Sequence, residues 1–214
     1  MKLEYHANTW FMVISSLLFA VALMAKPLLG AGWFWSLGNG LGFAALACFL
    51  YLCLDTRRGG KVRSHQLLGW CGGTLLLAHV AWFTLAEPTT WEYLKTTAPA
   101  YMWSGWLALI LLLLLIISSI ARLRPGSYTS HSKFRNWHKG LSALMLAASV
   151  HHLCGSGFYL REWYQWFALS GLAALCLLVP LEKQRGVGNN PIFGSLLFLA
   201  VGIALFTGLK NLPL

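Results

Sequence analysis

The spacing of its charges constrains this chain more than any other feature. Basic and acidic residues cut it into seven apolar intervals, 7–25, 33–54, 64–86, 101–121, 140–160, 163–181 and 191–209. Each is close to the roughly 20 residues that an α-helix needs to cross the hydrocarbon core of a bilayer. No water reaches the backbone there, so every N–H and C=O must be satisfied within the segment, and a helix does that. The expected fold is therefore all-α: a polytopic membrane bundle of six to seven transmembrane helices. No interval between them is long enough to hold a soluble domain. The first interval is not read as a cleaved signal peptide. Its apolar run is long, Glu4 interrupts a basic start, and no clear small-x-small site follows.

Composition narrows the function classes. Charged residues are 10% of 214 and hydrophobic residues 57%, whereas a soluble domain carries about a quarter charged residues. A soluble enzyme, a disordered chain and a nucleic-acid module are excluded on that ground. The net charge of +10 would suit a nucleic-acid partner, but the basic residues are spread among apolar segments. In a membrane protein, Lys and Arg sort loops to the cytoplasm. Most of the 16 lie at Lys2, in 55–64, in 122–139 and at Lys183 and Arg185; Lys26, Lys95, Arg161 and Lys210 fall on the other side. This predicts an N-terminus inside, a C-terminus outside and seven spans. Trp33, Trp35, Trp91, Trp103, Trp163 and Trp166 then form an outer aromatic belt. Cys48, Cys53, Cys71, Cys154 and Cys176 make neither a CxxC nor a CxxCH motif and are read as small packing residues.

The histidines carry the chemistry. His65 and His79 lie 14 residues apart in span three, and His138 stands 13 or 14 residues before His151 or His152 across span five. A step of 14 at 100° per residue ends about 40° short of four turns, so each pair shares a helix face about 21 Å apart along the axis. Two such helices can clamp two flat ligands stacked across the membrane, and bis-imidazole ligation of haem iron fits. A zinc site fits poorly, because its ligands converge on one point. Gly69, Gly72, Gly73 and Leu76 continue the face between His65 and His79 and leave room for a porphyrin. The alternative is a GxxxG helix contact through Gly69 and Gly73. On span five the face runs through Ser142, Met145 and Ser149, again slim.

The segments "SHQLLGWCGGTLLLAHV" and "FRNWHKGLSALMLAASVHHL" resemble the ferric reductase-like transmembrane domain family. It includes ferric-chelate reductases, the membrane half of NADPH oxidases and the haem subunit of a bacterial methionine sulfoxide reductase system. The resemblance covers 33–181 as a di-haem core, with 1–32 a first helix and outer loop and 182–214 an additional C-terminal helix. It implies two haem b per chain, an inner one between His65 and His138 and an outer one between His79 and the outer histidine of span five. The family's usual step of 13 favours His151 there; straight-helix geometry favours His152. His151 is taken as the ligand, with His152 as the open alternative. The chain departs from larger family members in having no flavin or nicotinamide domain and no GxGxxG motif. Electrons are therefore expected from a partner protein, a bound flavin or a quinol.

Nine of the 16 basic residues lie in the two loops that lead into His65 and His138. Arg63, Arg135 and Lys139 are expected to pair with haem propionates, since an Arg fork matches a carboxylate. Arg57, Arg58, Lys61 and Lys133 are expected to steer an acidic donor or a flavin phosphate. His6 and His131 are read as solvated inner-loop residues, and Glu87, Glu92 and Glu162 as a solvated outer face. The resulting expectation is an oxidoreductase-type haem subunit in a bacterial inner membrane. It passes single electrons from a cytoplasmic-side donor or quinol to an outer acceptor, with lipid and donor and acceptor proteins or quinone as partners and no nucleic acid. Whether the chain alone is an enzyme stays open. The competing readings are a transporter or channel with a His-lined proton or metal path, and an anchor for a partner enzyme.

Overall fold

The computed structural model describes residues 7–24, 32–54, 62–120, 131–178 and 191–212. They form α1 (Ala7–Leu23), α2 (Trp33–Leu54), α3 (Val62–Ala86), a 3-10 turn (Pro88–Leu94), α4 (Ala100–Ser119), α5 (His131–Ser156), α6 (Trp163–Leu178) and α7 (Pro191–Lys210). Among the described residues there is no strand. Three stretches, Trp33–Leu54, His65–Ala86 and Ala100–Ser119, are long and apolar enough to cross a membrane. Thr9–Leu23, Trp163–Leu178 and Gly194–Lys210 are shorter apolar helices. The helix α5 starts nine residues before the apolar interval that predicts it. Charge marks the edge of an apolar slab, not the end of a helix. Lys and Arg are good helix formers, and nothing breaks the run from Lys133 to Lys139.

The centre of the bundle is α2, which touches α1, α3, α5, α6 and α7. Ser36, Gly38, Gly40, Ala44, Ala45, Ala47 and Cys48 on it are buried. Small residues let helix backbones approach closely where lipid provides no hydrophobic drive. Phe43 closes one side with Phe19 and Phe206 at ring-centre distances of 6.3 and 5.5 Å. Around this centre, α3 packs along α2 and α5 along α4. The helices α3 and α5 do not pack along each other's length. Gly157, with φ +62°, follows the last residue of α5 and takes the left-handed conformation that ends many helices at low cost.

Gln165 locks the next helix. It is 1% exposed, and its Oε1 accepts the backbone N–H groups of Arg161 and Glu162 at 2.9 and 3.0 Å. This is the returning half of a capping box. Its Nε2 donates to the Val21 carbonyl of α1 at 3.3 Å, so one side chain caps α6 and ties it to α1. Replacing Gln165 with Leu removes these three part-buried hydrogen bonds and is expected to cost about 1–3 kcal/mol. Thermal unfolding in detergent measures this, and an unchanged midpoint contradicts it.

Candidate functional site

Of the sequence-predicted histidines, His65 and His138 come together across α3 and α5, while His79, His151 and His152 each hydrogen-bond to a neighbouring helix. At one end, the rings of His65 and His138 have centres 6.4 Å apart and planes at 52°. A metal–imidazole bond is about 2 Å and a ring centre lies about 1 Å behind its nitrogen, so two rings sharing one metal have centres roughly 6 Å apart. The observed spacing matches. Phe134, one turn earlier on α5, lies 5.4 Å from the His138 ring.

Four turns along, His79 places Nδ1 2.7 Å from the carbonyl of Gly38 on α2. His152 places Nδ1 2.9 Å from the carbonyl of Tyr101 on α4. A carbonyl can only accept, so in each case Nδ1–H donates and the tautomer leaves the Nε2 lone pair for a metal. On the far side of His79, Phe83 lies at 5.2 Å, Trp35 stands 5.1 Å from Phe83, and Phe158 stacks on Trp35 at 5.2 Å. This aromatic cover limits the access of water to the ring.

The two adjacent histidines of α5 part company. Neighbouring helical residues point about 100° apart. His152 is half-buried, with its ring on the Tyr101 carbonyl of α4. His151 is exposed, is hydrogen-bonded through Nδ1 to Ser104 Oγ at 2.7 Å, and lines a cleft of about 520 Å³ between α5 and α6 with Ala147, Cys154, Trp166 and Ser170.

The glycines divide as well. Gly72 was expected to leave room for a porphyrin. It faces α2 instead: a Cβ there would lie 2.8 Å from the Phe49 ring and 3.0 Å from Cys48. The cause is the rotation of α3, whose His65–Gly72–His79 line is turned partly toward α2, the same rotation that brings His79 to Gly38. At Gly69 a Cβ would meet only Leu52 at 3.9 Å, and at Gly73 only Ile116 of α4 at 3.4 Å. Gly69 therefore leaves the surface of α3 low, whereas Gly73 is buried against Ile116. On α5, Ser142 and Ser149 return their hydroxyls to the carbonyls of His138 and Met145 at 2.8 and 2.9 Å, which keeps that face slim.

Arg135, one turn before His138, is half-buried and Lys139 is exposed. Arg57, Arg58 and Lys61 and the side chains of Arg63 and His131 lie outside the described residues, as does His6. Glu87 accepts from Thr89 and caps the 3-10 turn, and Glu92 pairs with Lys95. The five cysteines are free thiols, with Cys48, Cys154 and Cys176 buried. Among the described residues no three His, Cys, Asp or Glu converge on a point.

Sequence reasoning missed Gly42 and Gly105. A Cβ at Gly42 would lie 2.9 Å from Nδ1 of His79, and one at Gly105 would lie 2.8 Å from Nδ1 of His152. The only sequence signal is a glycine four residues after the accepting carbonyl, which nothing local connects to a histidine 37 or 47 positions away. No protein-family model, curated protein or solved structure matches this chain.

Proposed function

We propose that the protein is a transmembrane electron conduit that carries two haem b groups. The observation that carries this reading is the His65–His138 spacing of 6.4 Å, supported by the second pair four turns away. The donor set fits the group. Each pair offers two imidazoles and no converging carboxylate or thiolate, whereas a protein-only zinc site needs three or four ligands. A macrocycle supplies the other four. Haem iron would contribute one-electron exchange between Fe(III) and Fe(II). The protein's part is to supply axial nitrogens, hold them at fixed separation and exclude water.

In this reading His65 and His138 hold the inner group and His79 and His152 the outer one, His152 replacing His151 because it is half-buried and its Nδ1, like that of His79, donates to a backbone carbonyl, whereas His151 is exposed. Gly69 leaves space on α3. Arg135 stands one turn from His138 to meet a propionate, with Arg63 and Lys139 as further cations at that end. All seven helices cross a bacterial inner membrane, N-terminus in and C-terminus out. Electrons enter at the basic cytoplasmic face from a partner flavoprotein or a quinol and leave to an outer acceptor. The likeness of α3 and α5 to the ferric reductase-like family accords with this assignment.

The absorbance spectrum of the purified protein tests the reading, with haem extracted and counted against protein. A reduced b-type spectrum and about two haems per chain are expected. A colourless preparation overturns the proposal in favour of a His-lined transport path, and a ratio near one confines it to a single pair.

A further inference from the structure

Resting on the di-haem reading, we propose that two matching notches in the neighbouring helices position both outer ligands. Gly38 and Gly42 of α2 form one, and Tyr101 and Gly105 of α4 form the other. In each, the carbonyl of residue n takes the histidine Nδ1–H, and a glycine at n+4 gives the ring its place. The carbonyls lie 2.7 and 2.9 Å from Nδ1 of His79 and His152. The missing Cβ positions lie 2.9 and 2.8 Å from the same atoms. Real Cβ atoms essentially never come within 3.0 Å of a neighbour, so any other residue displaces the ring.

Helix geometry explains why the same step of four recurs. A Cα–Cβ bond tilts toward the helix N-terminus, so a side chain lies over the turn before its own residue. The side chain at n+4 therefore shields the carbonyl of n. A glycine there uncovers that carbonyl, which has a second lone pair to give after its bond within the helix. The same device occurs on two helices, from α2 to α3 and from α4 to α5, and both instances serve one pair of rings.

The notches do more than fill space. A ligating imidazole whose other nitrogen donates to a carbonyl is fixed in tautomer and orientation and is a stronger base. A more basic axial ligand favours Fe(III) over Fe(II), so the notches hold the outer centre's reduction potential down.

The test uses full-length protein carrying Gly42→Ala or Gly105→Ala, with Gly171→Ala as the control because a Cβ there meets nothing within 4 Å. Redox titration and the low-spin ferric resonance report each centre. Each notch variant is expected to raise the outer potential, or to weaken outer haem retention about 10–100-fold, with the inner centre unchanged. An outer centre like that of the unaltered protein in both variants overturns the notches while leaving the di-haem reading in place. Unaltered protein without haem overturns the parent reading instead. The inner centre also reports folding. If a variant loses both, His79→Gly supplemented with imidazole or 1-methylimidazole decides. Imidazole keeps an N–H for the Gly38 carbonyl and is expected to restore the outer signal; 1-methylimidazole lacks it and is not. Equal restoration by both overturns the proposal.

Discussion

His79→Ala is expected to halve the haem content, removing the outer centre and sparing the inner one, and His65→Ala is expected to do the reverse. The two histidines of α3 stand four turns apart, about 21 Å along the axis, and in the proposed assignment each answers to a different residue of α5. Losing one of two axial nitrogens removes a bond that no neighbouring side chain can replace, because no third His, Cys, Asp or Glu converges on either pair among the described residues. The effect is thus far larger than the 10–100-fold typical of losing a residue that only orients a ligand. It is also local. The core that holds the bundle together is centred on α2, with Phe43, Phe19 and Phe206, and neither histidine belongs to it. Redox titration of the two variants resolves the centres. Loss of both haems from either variant, with helical content and unfolding midpoint unchanged, shows that the pairs are assigned wrongly.

What could be read in the sequence, and what could not, divides along a physical line. Helices were legible because apolar length is a local property: α2 runs over the interval the charges delimit. The start of α5 was not, because its first two turns are basic and aromatic and continue as helix without being apolar. The shared face of His65 and His79 followed from helical periodicity. The rotation of that face in the bundle did not, since it depends on which neighbour α3 packs against. That is why Gly72 admits Phe49 of α2 and not a cofactor. The carbonyls of Gly38 and Tyr101 had no signature at all. A backbone oxygen belongs to every residue, and only an approach from a helix 41 or 51 positions away gives it a role.

The same division governs the choice between the two adjacent histidines, where the sequence leaves two answers and the proposed assignment takes His152. His152→Ala is expected to abolish the outer low-spin signal, and His151→Ala to retain it with at most a modest shift. Both side chains carry the same chemistry, so only direction separates them, and on a helix adjacent positions differ by about 100°. If one ring faces the space between α3 and α5, the other cannot. The Nδ1 of His152 is bound by a backbone carbonyl that cannot rotate away, at 2.9 Å, and the ring is given room by Gly105. His151 is bound by a serine hydroxyl at 2.7 Å on an exposed surface and faces the cleft toward α6. To ligate, it would have to leave Ser104 and turn α5 by more than a quarter of a turn. That rotation would also carry His138 away from His65, whose rings stand at the spacing one metal requires. Under the proposed assignment the two ends of α5 are therefore coupled: keeping His138 beside His65 leaves His152 as the outer ligand. Low-temperature spectra of the two alanine variants, each with its inner centre as internal standard, measure the outcome. A His151→Ala protein that lacks the outer signal while His152→Ala keeps it reverses the assignment and requires α5 to be rotated in the haem-loaded protein.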